Sequence, residues 1–143
     1  MYSVLQPLHS YLAYVLLAVL VIAIAYNGIS FLQGKKYSEM NKKMSLYGLI
    51  ATHLQAFIGL ILYFVSPLGM SNISKAGMKD GISRLYFMEH PLMMILAVVL
   101  VTIGYSKAKR LIDSDKKYRT MLAFYVIGLI FILSRIPWTA WLD

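Results

Sequence analysis

Residues 84–110 read RLYFMEHPLMMILAVVLVTIGYSKAKR. From Pro91 to Ser106 no side chain is charged, and the basic residues Lys107, Lys109 and Arg110 then close the run. An α-helix needs about 20 mostly apolar residues to cross a hydrocarbon core of about 30 Å. This run is long enough and lacks the alternating pattern of a barrel strand, so its backbone groups must be satisfied within a helix. Three further stretches share its character. Together the predicted helices occupy residues 8–31, 45–66, 85–106 and 120–138.

The rest of the composition agrees. The chain has 143 residues, of which 59% are hydrophobic and only 14% charged, with a mean hydropathy of +0.67. A soluble domain carries about a quarter charged residues. No internal repeat, low-complexity tract or linker divides the chain, so residues 1–143 are read as one all-α domain, a four-helix transmembrane bundle. The absence of cysteine excludes disulfides, thiolate metal sites, iron–sulfur clusters and covalently attached haem. Ala23-Ile24-Ala25 resembles a signal-peptide cleavage site, but MYSVLQPLHS ahead of it has no basic side chain, so the first run is expected to be retained as a helix.

The net charge of +8 would suit nucleic acid if it formed one patch. Instead Lys35, Lys36, Lys42 and Lys43 fall between runs one and two, and Lys107, Lys109, Arg110, Lys116, Lys117 and Arg119 between runs three and four. The opposite side has Lys75, Lys79, Arg84 and Arg135, offset by Asp80, Glu89 and Asp143. By the positive-inside rule, loops 33–44 and 107–119 are cytoplasmic and both termini lie outside. Short basic connections favour antiparallel neighbours in an up-down-up-down order and meet anionic lipid headgroups. The longest connection, Ser66–Ser83, begins at Pro67, which cannot extend a helix ladder. Tyr63, Tyr86, Tyr105, Tyr118, Trp138 and Trp141 sit near run ends, as interface anchors do.

Against this apolar background the three histidines, His9, His53 and His90, need a reason. Helical periodicity groups His9 with Leu12, Ala13, Leu16, Leu20, Ala23 and Asn27, and His90 with Tyr86, Met94, Ala97, Val101 and Gly104. On helix two Thr52, His53, Ala56, Gly59 and Tyr63 share an arc. On helix four the stripe is Phe124, Gly128, Phe131, Arg135 and Trp138. At about 1.5 Å per residue, His90 lies roughly 25 Å above Lys107 and Arg135 about 24 Å above Arg119. His9 lies roughly 26 Å above Tyr26-Asn27, but His53 only ~15 Å above Lys43. His9, His90 and Arg135 therefore share an outer level, and His53 lies deeper.

In a square bundle, helices one and three are diagonal partners, which would set His9 and His90 on opposite sides of a central cofactor. Neutral imidazoles are axial ligands of haem iron, and two of them leave no open position, which suits electron transfer. With three histidines a chain can build one such site. His9 and His90 are the expected pair, with His53 as the alternative ligand. Arg84 and Arg135 could hold haem propionates, or they could reach the interface as long cations do. Glu89 is expected at the solvated rim or beside an arginine. Thr52, His53, Gln55 and Tyr63 form a candidate quinone site, where a titratable imidazole would exchange a proton.

Other readings stay open. Met70, Met78, Met88, Met93 and Met94 gather toward the end that holds His90, and thioethers suit Cu(I), so a copper or haem carrier is one alternative. A cofactor-free structural subunit is another, with each histidine in an ordinary interhelical hydrogen bond. No nucleophile–base pair, phosphate loop or paired carboxylate is visible, so any activity would be redox. Small residues at mid-depth (Ala18, Gly59, Ala97, Gly104, Gly128) allow close helix approach, and a homodimer or a partner redox subunit is compatible with that surface.

The segments LHSYL at 8–12, THLQAFIGLILYFVSP at 52–67, EHPLMMILAVVLVTIGYSKAKR at 89–110 and RIPW at 135–138 together resemble small bacterial four-helix membrane proteins described as cytochrome b-like. The likeness runs through all four helices. More distantly, histidines on alternate helices of a four-helix unit are similar to the haem A synthase and cytochrome b561 type of bundle. The resemblance implies haem b, a bacterial inner-membrane location and exchange with the quinone pool. Family members read HSGLRW where this chain has HSYLAY at 9–14. Ala13 and Tyr14 thus replace an arginine and a tryptophan, which removes from helix one an arginine that could meet a propionate.

Overall fold

The computed structural model describes residues 1–139; Trp141 and Asp143, invoked above, lie outside the described residues. The helices are α1 (Tyr2–Leu32), α2 (Glu39–Val65), α3 (Lys75–Lys79), α4 (Gly81–Arg84), α5 (His90–Arg110) and α6 (Ser114–Ser134). A π turn, Leu85–Glu89, joins α4 to α5, so Gly81–Arg110 forms one continuous span. Four helices are long and apolar enough to cross a membrane. The protein is an all-α, multi-pass membrane bundle.

Helix boundaries differ from the sequence reading wherever polar residues supply the end. α1 begins six residues early and carries Pro7 in its second turn, where the missing N–H deprives the Ser3 carbonyl of its i+4 donor. α2 begins at Glu39 because Ser38 and Asn41 form a reciprocal capping box, which satisfies two otherwise orphaned N–H groups. α6 starts at Ser114, where the Asp113 side chain accepts from Lys116 N. It ends at Ser134, not 138, because Pro137 disfavours helical geometry at Ile136. α1 stops with Gly34 at φ 70°, where Gly34 N bonds Phe31 O and Lys35 N bonds Ser30 O, a glycine-terminated Schellman cap.

α1 packs along α2 and α6, and α5 along the same two. α1 and α5 therefore occupy one diagonal and α2 and α6 the other, as the square arrangement requires. The core holds Leu16, Leu20 and Ala23 of α1, Ala97, Val101 and Ala108 of α5, and Met121, Tyr125 and Ile132 of α6. α2 contributes a polar face: Asn41, Ser45, Thr52 and Gln55 are buried, while Ile50, Leu54, Phe57 and Phe64 point outward. That inversion suits lipid, which rewards small and hydrogen-bonding residues at helix contacts and not apolar ones. Thr52 satisfies its hydroxyl on its own helix at Leu49 O (2.8 Å), and Ser45 does so at Asn41 O (3.0 Å).

The predicted faces of α1 and α5 are the buried ones. That of α6 is rotated. Tyr118, Met121, Tyr125, Gly128 and Ile132 are buried there, with Gly128 alone shared with the expected stripe. Two tyrosines cause the rotation: Tyr125 donates to Ser45 O at 2.6 Å and Tyr118 to Asn41 Oδ1 at 3.2 Å. A phenol in hydrocarbon needs such a partner, so the tyrosines turn inward and Phe124 and Phe131 move to the flank.

Candidate functional site

The site lies at the end of the bundle opposite the basic loops, and Pro91 shapes it. A proline lacks an N–H, so the Phe87 carbonyl, four residues earlier, loses its helix partner. The chain widens there into the π turn, in which His90 N–H reaches back to Leu85 O. Tyr63 of α2 donates its hydroxyl to the Phe87 carbonyl at 2.8 Å. Single π turns inside helices recur at functional sites; this one delivers His90.

His90 Nδ1 lies 2.8 Å from Arg135 O. A carbonyl oxygen can only accept, so Nδ1 carries the hydrogen, and the neutral ring keeps its lone pair on Nε2. A hydrogen bond of this kind behind a ring fixes its tautomer and raises its basicity as a metal ligand. Across the diagonal, His9 faces it. The ring centroids are 6.3 Å apart and the planes stand at 85°. His9 is backed by Gly59 of α2: a Cβ there would lie 2.8 Å from His9 Cε1. Gln55 anchors the same turn of α1, donating Nε2 to His9 O at 2.7 Å. His9 Nδ1 is buried without a partner among the described residues.

Two ring nitrogens thus lack a hydrogen-bond partner among the described residues, His90 Nε2 with its lone pair and His9 Nδ1, and the His9 ring lies in a cradle that a Cβ at Gly59 would fill. On these counts the described residues fit a group held between two imidazoles.

Three charges sit beside His90. Glu89 accepts from Arg84 Nε at 2.7 Å and lies 3.7 Å from Arg135 Nε, so one carboxylate stands between both predicted propionate donors. Arg84 also donates to Met78 O at 2.9 Å. The cluster keeps one net positive charge.

The four residues read as a quinone site do not converge. Thr52 and Gln55 face inward and Tyr63 is committed to Phe87 O, whereas His53 is exposed on the flank of α2, 2.8 Å from Thr102 Oγ1 of α5. That also separates His53 from the His9–His90 pair. The methionines disperse as well: Met70 and Met78 are exposed on the connecting segment and Met94 packs against the core. Among the described residues no group of three or more His, Asp or Glu side chains could hold a metal ion. Thr102 and the pairing of Pro91 with Tyr63 were missed from sequence, whereas Gly59 was singled out there as a small residue that allows close approach. Only Pro91, inside an apolar run and next to a histidine, carried a visible signal.

Comparison with protein-family models, with curated proteins and with solved structures gives no match to this chain.

Proposed function

We propose that this chain binds one haem b between His9 and His90 and passes single electrons within the membrane. The observation that carries the reading is the histidine pair itself: two imidazoles meeting across the bundle diagonal at 6.3 Å, nearly perpendicular. When bound, haem would supply a one-electron iron couple, and His9 and His90 would hold it. His90 would ligate through Nε2, held in place by the Arg135 carbonyl behind it. His9 would be the second residue to hold the haem, its ring seated against Gly59. Arg84 and Arg135 would neutralise the propionates, sharing or giving up Glu89. The apolar flanks of α1, α2, α5 and α6 keep the site in lipid.

The charge pattern supports an orientation for the same reading. Loops 33–44 and 107–119 lie in the cytoplasm of a bacterial inner membrane, and the histidine end faces outward. The resemblance of the four segments to cytochrome b-like proteins supports the same assignment.

The test is an optical spectrum of the purified chain titrated with hemin. A low-spin spectrum with a sharp reduced α-band is expected, lost in His9→Ala and in His90→Ala and kept in His53→Ala. A chain that takes up no hemin would end the reading and leave a structural subunit. Bound haem that accepts no electron from a quinol would favour a carrier instead.

A further inference from the structure

His53 lies about midway along α2 (Glu39–Val65), at the depth where hydrocarbon surrounds the bundle, and its side chain is exposed there. Polar and ionisable groups at that depth are costly and are found where they serve a function. The ring's chemistry is fixed by its neighbour. Thr102 donates its one hydroxyl hydrogen to Val98 O at 2.7 Å, so toward His53 it can only accept. The 2.8 Å contact is therefore a His53 Nε2–H donating to Thr102 Oγ1. In the neutral ring, Nδ1 is then a bare lone pair. Among the described residues nothing donates to it.

His53 lines a shallow depression on this flank together with Leu49, Ile50, Leu54 and Phe57. Its occupant must dissolve in lipid, offer an O–H donor at mid-membrane depth and present an apolar body to Phe57. Acyl chains have no donor. A sterol hydroxyl is held at the headgroup level, above this depth. A quinol meets all three requirements, with a phenolic O–H on a flat ring carried by an isoprenoid tail. We propose that the His53–Thr102 pair is a lipid-facing binding site for the headgroup of a membrane quinol, which donates a hydroxyl hydrogen bond to His53 Nδ1.

This places the quinol on the outer flank of α2, not among Thr52, Gln55 and Tyr63 inside it. Gly59, which backs His9, is six residues further along α2, about 9 Å along the helix axis. The use of that proximity for electron transfer rests on the haem reading; the binding does not.

The experiment is binding of decyl-benzoquinol to the full chain in lipid nanodiscs, kept anaerobic and reduced, by equilibrium partition and by nitrogen NMR of labelled histidine. We expect saturable binding, a shift of one histidine Nδ1 resonance, and affinity lower on the order of tenfold for His53→Ala, the scale of one lost hydrogen bond. The quinol's dimethyl ether, which has no hydroxyl donor, should bind as weakly. His53→Gln, whose amide can donate to Thr102 and still offer an oxygen, should restore part of the affinity. Equal binding of quinol and dimethyl ether would overturn the proposal, as would equal affinity of wild type and His53→Ala. So would a cross-link through residue 53 showing that a second copy covers this face. None of these outcomes depends on hemin uptake, so failure here and failure of the haem reading are separable.

Discussion

The His9 ring rests on a residue with no side chain, and that contact can be tested alone. A methyl group at Gly59 would stand 2.8 Å from His9 Cε1, closer than carbon atoms pack, so the ring must turn or α1 must move. Gly59→Ala is expected to fold, since alanine favours helix over glycine. It should nevertheless bind hemin more weakly than wild type, by tenfold or more in a titration, while His53→Ala does not; an unchanged affinity would show that the His9 ring position is irrelevant to binding. Glu89→Gln works in the opposite direction. It removes the carboxylate that stands between Arg84 and Arg135, and hemin should then bind several-fold more tightly in low salt, with the gain shrinking as salt screens the arginines. The positions of His9 and His90 were legible because each recurs with its helix's apolar stripe and the diagonal follows from antiparallel order. His53 was not. Thr52 and His53 are neighbours about 100° apart, and pattern alone leaves open which one turns inward. Their chemistry decides: Thr52 can satisfy its hydroxyl on its own helix and be buried, whereas an imidazole needs a partner on another helix, and Thr102 is on the flank.

The joint between α4 and α5 depends on a proline and a tyrosine from another helix acting together. The Tyr63 hydroxyl occupies the carbonyl that Pro91 cannot serve, so the two substitutions should not be additive. Tyr63→Phe in the wild-type background strands the Phe87 carbonyl and should cost about 1–3 kcal/mol. In Pro91→Ala, a backbone N–H is restored four residues after Phe87, and Tyr63→Phe should then cost a few tenths of a kcal/mol, within the range of a surface change. The double-mutant cycle by denaturant unfolding in mixed micelles measures the difference. Equal costs in both backgrounds would mean that the Tyr63 contact does not answer the missing N–H. The element ends show why sequence reading falls short here. Apolar runs mark where lipid begins, but α2 and α6 start earlier, where Ser38, Asn41 and Asp113 cap polar first turns that lie outside the hydrocarbon. The stripe of α6 was misjudged for a related reason. Aromatic residues were weighed by hydrophobicity, and the two tyrosine hydroxyls that decide the rotation seek acceptors on α2.

As a whole, the molecule is asymmetric along its long axis. One end carries the basic loops and a buried network of Asn27, Asn41, Ser45, Tyr118 and Tyr125. The other carries the histidine pair and the Arg84–Glu89–Arg135 cluster. Four spans fix both termini on the same side but leave open which side. The proposed orientation takes that choice from loop charge, since Lys and Arg near helix ends favour the cytoplasmic face. The two ends can be distinguished without disturbing either, since the chain contains no cysteine and any introduced thiol is the only target. Ile112, in the short connection between α5 and α6, is 96% exposed and makes a neutral site at the basic end. Lys79, at the end of α3, serves the histidine end. In intact cells whose outer membrane has been made permeable, an impermeant maleimide should label Lys79→Cys and leave Ile112→Cys unlabelled until the inner membrane is opened. The reverse result would place the histidine pair near the cytoplasmic face and invert the orientation proposed for electron entry. Labelling of both from outside would mean that the basic loops are not retained and that the charge rule does not govern this chain.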